Sequence, residues 1–114
     1  MLQYQPEPLD LAFHALSDPG RRAMVDRLCS GPASVSDLAR PLPMTLSAVG
    51  QHLKVLEQAG LVTSRKVGRV RTFTLRADNL RRIESWIAER KAFWERQYDQ
   101  LEAYLAETAE EKAR

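Results

Sequence analysis

Leu46, Val49, Leu53 and Leu56 follow one another at steps of three, four and three, which lays one apolar stripe along a helix that starts near Thr45. The opposite face carries Thr45, Ser47, Ala48, Gln51 and Lys54: short hydroxyls, a methyl, an amide and an ammonium group. Upstream, Val35, Leu38, Ala39 and Leu42 predict a shorter helix, stopped by Pro41-Leu42-Pro43, and Thr45 is a good N-cap for the one that follows. Two helices in tight succession, the second with a buried and a polar face, predict a helix-turn-helix. Before them, a flexible lead-in over residues 1–8 gives way to a short amphipathic helix marked by Leu9, Ala12, Phe13 and Leu16. Asp18-Pro19 opens another, through Met24, Val25 and Leu28 to about Ser30, where Gly31-Pro32 ends it.

After Gly60 the periodicity changes from helical to extended. Leu61–Val67 and Val70–Leu75 are rich in β-branched residues and are separated by Gly68-Arg69, which predicts a β-hairpin with a basic tip. Val70, Thr72 and Thr74 should point one way, and Arg71, Phe73 and Leu75 the other. A helix-turn-helix followed directly by a hairpin is a winged helix-turn-helix, mainly α with a small β-hairpin, and its wing puts Arg69 where it can meet a minor groove or the DNA backbone. From Asp78 the pattern is helical again, with Leu80, Ile87, Trp94 and Leu101 spaced by seven and Ile83, Tyr98 and Leu105 widening the stripe. A helix of roughly 28 residues is about 42 Å long, whereas a 100-residue domain has a radius of gyration of about 13 Å. One domain cannot cover such a stripe, so Trp94, Tyr98, Leu101 and Leu105 are expected to form a protein interface, in the commonest case that of a symmetric dimer.

Charge sharpens this picture. The net charge is only +2, yet residues 61–91 carry nine Lys/Arg against three Asp/Glu, and residues 61–76 carry Arg65, Lys66, Arg69, Arg71 and Arg76 with no acidic residue. An uncompensated patch beside a recognition helix suits phosphate binding. The 44% apolar and 28% charged composition is that of a globular chain, and no apolar run is long enough to span a bilayer. With neither a basic n-region nor an apolar h-region at the N-terminus, a cytoplasmic location away from membranes is expected. One Cys and two His offer no zinc-ligand spacing. No nucleophile has a neighbouring base, no carboxylates pair in a plausible cleft and no Gly-rich phosphate loop is present, so an enzyme is not expected.

Three segments in order, LSDPGRRAMVDRL at 16–28, LSAVGQHLKVLEQAGLV at 46–62 and VGRVRTFTL at 67–75, resemble the ArsR/SmtB family of winged-helix repressors, and the likeness extends over about residues 9–106. The resemblance implies a DNA-binding and dimerisation domain over 9–106, with a charged tail over 107–114. It implies a homodimer formed through the first and last helices, with Leu9, Phe13, Leu16, Ile87, Trp94, Tyr98, Leu101 and Leu105 at its interface. That dimer would bind double-stranded operator DNA and repress its own or a neighbouring operon. The family's metal response does not carry over: Ser34 and Ser36 flank Val35 where its thiolate motif has two Cys, and no His follows His52. The chain therefore resembles the non-metal, autorepressor-like branch, with no cofactor, no metal and no effector named by the sequence.

The expected DNA contacts are Thr45, Ser47, Ala48, Gln51, His52 and Lys54 on the recognition helix and Arg65, Lys66, Arg69 and Arg71 on the hairpin. Gln51 can pair bidentately with adenine and Ala48 can meet a thymine methyl. Thr45 serves as a cap, a phosphate neighbour or both. His52 borders the apolar stripe, where either packing or a phosphate contact suits it. Gly50 costs about 1 kcal/mol against Ala inside a helix, explained either by close approach of DNA or by packing against the hairpin. Cys29 is expected to be a buried, inert thiol, and His14 structural or interfacial. Trp86, Phe93 and Tyr104 fit core and dimer packing better than an effector pocket. The competing reading, a winged-helix module that binds another protein through its last helix, leaves the basic hairpin without a purpose.

Overall fold

The computed structural model describes residues 7–113. Five helices and a small sheet follow in the order α1 (Pro8–Leu16), α2 (Pro19–Leu28), β1 (Ala33–Ser34), α3 (Val35–Ala39), α4 (Leu46–Gln58), β2 (Val62–Val67), β3 (Val70–Leu75) and α5 (Asp78–Ala113). The sheet is antiparallel with order β1-β3-β2. This is the mainly helical architecture, with a hairpin ahead of the last helix, that the periodicities predict. The two-residue β1 is an addition: Ala33 pairs with Phe73 and Ser34 with Thr72, so the segment between α2 and α3 lies along the free edge of the hairpin.

Short polar side chains start the helices. The Asp18 carboxylate accepts from the backbone N–H of Arg21 (3.0 Å) with Pro19 at the first helical position, and the Thr45 hydroxyl accepts from the N–H of Ala48 (3.1 Å). Ser34 and Asp37 cap α3 reciprocally: the Asp37 N–H donates to Ser34 Oγ at 3.2 Å and the Ser34 N–H to Asp37 Oδ2 at 3.4 Å. Helix α4 ends in a Schellman turn. The Gly60 N–H donates to the Glu57 carbonyl and the Leu61 N–H to the Leu56 carbonyl, both at 3.0 Å, while Gly60 takes a φ of 72° that a residue with a Cβ resists. The Asn79 side-chain amide donates to the Ala59 carbonyl and so closes the same helix end from the first turn of α5.

The chain divides into two compact units, Met1–Ile83 and Glu84–Arg114. In the first, Ala12 and Ala15 of α1, Met24 and Leu28 of α2, Leu38 of α3 and Val49, Leu53 and Leu56 of α4 meet Leu61, just before β2, and Val62 and Phe73 of the hairpin in one core. Each large side chain buried there contributes about 1.5–3 kcal/mol, so three core positions on α4 fix which face that helix turns outward. Leu80 and Ile83 in the first turns of α5 pack against this core.

Several expectations need correction. Leu46, placed on the buried stripe by its spacing, is 59% exposed: as the first residue of α4 it projects past the end of the core. Cys29 is exposed, because α2 ends at Leu28 and the cysteine sits on the cap after the last buried turn. Helix α5 has 36 residues rather than about 28; its last stretch is rich in Ala and Glu, which favour helix, and contains neither Gly nor Pro. The lead-in expected over 1–8 lies outside the described residues except for Glu7 and Pro8, which cap and open α1.

The second unit is helical throughout. Ile87, Phe93, Trp94, Tyr98, Leu101, Tyr104 and Leu105 all stand exposed on it, Trp94 by 67%. The Arg90 guanidinium lies 4.8 Å from the centre of the Trp86 ring. No helix among the described residues is long and apolar enough to cross a membrane.

Candidate nucleic-acid interface

Because Val49, Leu53 and Leu56 are buried, Gly50, Gln51 and Lys54 between them on α4 face out. Ser47, Gln51 and Lys54 are exposed at a spacing of four and three, a polar stripe along one side, with Ala48 half-buried beside it. Gly50, Lys54 and Glu57 form the adjoining row, which faces the hairpin across a cleft of about 310 Å³ lined also by Ser64, Arg71 and Phe73. A Cβ built on Gly50 would meet no atom within 4 Å. Packing against the hairpin therefore does not explain this glycine.

The hairpin turn is two residues long. Gly68 has a φ of 62° at the first central position, as a type II′ turn requires, and Arg69 follows it at the tip. Register then decides where each basic side chain goes. Lys66 pairs with Arg71 and Ser64 with Phe73, so these share the face whose base, at Phe73 and Val62, is buried against the core. Arg65 pairs with Thr72 and lies on the other face with Val67 and Val70, both exposed. The hairpin's charge is thus divided among two faces and a tip, with Lys66 and Arg71 on the side of α4. Arg71 also reaches inward: its Nη1 donates to Ser64 Oγ at 2.8 Å, and Ser64 Oγ donates to Glu57 Oε2 at 2.8 Å.

His52 is half-buried and turned away from the polar stripe. Its Nδ1 lies 3.1 Å from Arg21 Nη1, and the same guanidinium donates through Nε to the Ala15 carbonyl at 2.7 Å and through Nη2 to the His14 carbonyl at 3.2 Å. The neighbouring Asp18 carboxyl is held below its usual 3.8, chiefly by the Arg21 backbone N–H, with smaller contributions from the charges of His52 and Arg21. Arg21 joins the end of α1 to the middle of α4, a role that nothing in its local sequence announces. Glu57, Ser64 and Asn79 were likewise not legible as site residues, since each acts on a group seven or more positions away.

Of the residues expected at a dimer interface, Leu9 and Leu16 on α1 are half-buried and Phe13 is exposed, while Ile87, Trp94, Tyr98, Leu101 and Leu105 are exposed on the second unit. Among the described residues no three His, Cys, Asp or Glu come together as metal ligands would. What the first unit presents is a polar helix face, a basic hairpin beside it and an open cleft between them.

The chain is similar to known proteins. The sequence profile of the bacterial regulatory protein, arsR family, matches residues 18–64. The HTH-type transcriptional regulator Rv2034 of Mycobacterium tuberculosis is 44% identical over 87 residues, covering 76% of this chain and 78% of that protein. The transcriptional repressor SdpR of Bacillus subtilis is 28% identical over 75 residues, 66% of this chain and 83% of its own length. Among solved structures, that of an ArsR family transcriptional regulator superimposes with a TM-score of 0.75 at 44% identity, covering 83% of this chain and 97% of the other.

Proposed function

The chain belongs to the ArsR family of bacterial regulatory proteins, and from that premise we propose that it is a transcriptional repressor that binds a palindromic operator as a homodimer. The observation that carries this reading is the exposed row Ser47, Gln51 and Lys54 on α4, set beside a basic hairpin across a cleft left open at Gly50. With α4 in the major groove, the Gln51 amide pairs with adenine, Ala48 meets a thymine methyl, Ser47 reads base edges beside them, and Thr45 lies at the helix end that approaches the backbone. Lys54 and Lys66 face phosphates, and Arg69 at the hairpin tip reaches the flanking groove.

Dimerisation supplies the second reading head. The exposed Ile87, Trp94, Tyr98, Leu101 and Leu105 are too large an apolar surface to leave in water. Pairing them, together with Leu9, Phe13 and Leu16 of α1, in a two-fold interface sets two α4 helices about one DNA turn, roughly 34 Å, apart. Binding over a promoter, its own or that of a neighbouring operon, then excludes RNA polymerase. Residues 9–106 constitute the working domain, and the site of action is the cytoplasm.

The test is fluorescence anisotropy on a duplex from upstream of the chain's own gene, beside a scrambled duplex, at two salt concentrations. Specific regulation predicts tighter binding to the upstream DNA by roughly a thousandfold or more, with a steep salt slope. Gln51→Ala should relax sequence preference, and Arg69→Ala should weaken binding to all sequences alike while lowering the salt slope by about one. Wild-type behaviour from both variants would place the DNA surface elsewhere.

A further inference from the structure

The cleft between α4 and the hairpin is spanned by one hydrogen bond, Ser64 Oγ to Glu57 Oε2 at 2.8 Å, and a second bond within the hairpin, Arg71 Nη1 to Ser64 Oγ at 2.8 Å, carries the chain of contacts on to β3. Three elements contribute one residue each: Glu57 stands on the last turn of α4, Ser64 on β2 and Arg71 on β3. The Ser64 hydroxyl accepts from one side and donates to the other, so it can link the two only in this order.

Glu57 stands where a carboxylate has two reasons to be absent. It lies in the last turn of α4, where the helix dipole disfavours negative charge. It also lines the cleft that faces a polyanion if α4 reads DNA. Arg71, for its part, reaches across the hairpin to Ser64 on the neighbouring strand. A carboxylate and a guanidinium so placed serve each other before they serve a phosphate.

Resting on the DNA-binding reading above, we propose that Glu57, Ser64 and Arg71 form a strut that sets the angle of the hairpin to the recognition helix. Glu57 is then a positioning residue required for operator binding in spite of its charge, and Arg71 acts through the strut and not as a phosphate contact. Electrostatics alone makes the opposite prediction, that loss of the Glu57 charge strengthens binding to DNA.

The full chain is titrated with its operator duplex across a salt series as wild type and as Glu57→Ala, Glu57→Gln, Ser64→Ala, Arg71→Ala and the Glu57→Ala/Ser64→Ala pair. Thermal unfolding and amide hydrogen exchange of the hairpin are followed alongside. The strut predicts that Glu57→Ala and Ser64→Ala each weaken binding by about three- to tenfold, the worth of one such hydrogen bond. The pair loses no more than either single change. Glu57→Gln, whose amide oxygen still accepts from Ser64, stays within about twofold of wild type by the same measure. Arg71→Ala weakens binding with its salt slope intact, whereas loss of a phosphate contact would lower that slope by about one. Hairpin amides exchange faster in Glu57→Ala than in Glu57→Gln, while the melting temperatures stay together. Tighter binding by both Glu57 variants, a reduced slope in Arg71→Ala, or affinity that falls only in step with melting temperature would each overturn the proposal. A wild-type chain with no sequence preference would refute the regulator reading instead, and hydrogen exchange would still decide the strut.

Discussion

Replacing Gly50 with alanine adds one methyl group to the middle of α4, on the row that lines the cleft. A glycine in a helix interior costs about 1 kcal/mol relative to alanine, because its backbone loses more freedom on folding. The new Cβ has no atom within 4 Å, so no clash subtracts from the gain. Gly50→Ala should therefore stabilise the protein by about 1 kcal/mol and raise its melting temperature by roughly 4 °C. A residue that relinquishes this much stability at an uncrowded position needs another reason to be there, and approach of a DNA strand into the cleft supplies one. The same methyl group should then weaken operator binding by about tenfold or more, equivalent to roughly 1.4 kcal/mol. Denaturant unfolding and operator titration on one preparation separate the two effects. A variant that is more stable and binds like wild type would show that DNA does not use the space, and a less stable variant would show that the cleft is not open.

Arg21→Ala removes donors to the Ala15 and His14 carbonyls and to His52; it should cost about 2 kcal/mol in denaturant unfolding, and an unchanged midpoint would dismiss Arg21 as a tie between α1 and α4. The Asp18 and Asp37 carboxyls both lie below 3.8, held there chiefly by backbone N–H groups, of Arg21 and of Ser34 respectively. Their contribution to stability is full above the unfolded value near 3.8 and is lost as the pH falls through the lower folded values. Asp18→Asn keeps a capping oxygen without the titration and should flatten the stability profile on the acid side; a profile identical to wild type would assign the acid response elsewhere. Leu101→Glu places charge on the exposed stripe while retaining a good helix former; sedimentation should show monomers where wild type dimerises, with helicity unchanged, and an intact dimer would remove this stripe from the interface.

Much of the frame was legible because it rests on local rules. Val49, Leu53 and Leu56 are buried where their spacing puts them, the hairpin strands end within a residue of their expected limits, and Gly68 makes the turn it was expected to make. What escaped is what depends on tertiary placement. Strand β1 is two residues long, too short for any alternation to show, and exists because β3 offers an edge. Leu46 obeys the stripe's spacing but lies beyond the core that would cover it. Spacing places residues on a face, and only the fold says how far that face extends. The polar ties were least visible, since Arg21 and His52 are 31 positions apart and Asn79 caps a carbonyl 20 positions earlier. Alternation already puts Arg65 and Lys66 on opposite faces, and it takes the pairing of the two strands to set Lys66 beside Arg71.

The turn at the end of α4 bears on how such a protein diversifies. Two backbone hydrogen bonds, the left-handed Gly60 and the Asn79 amide define where the chain leaves the helix and enters β2. None of them involves Ser47, Gln51 or the side chain of Ala48. On the reading proposed above, the scaffold is decoupled from the side chains that select DNA, so changing those three while the frame stays constant should change operator preference. A combinatorial library at 47, 48 and 51 should consist mostly of folded members that differ in the DNA they select.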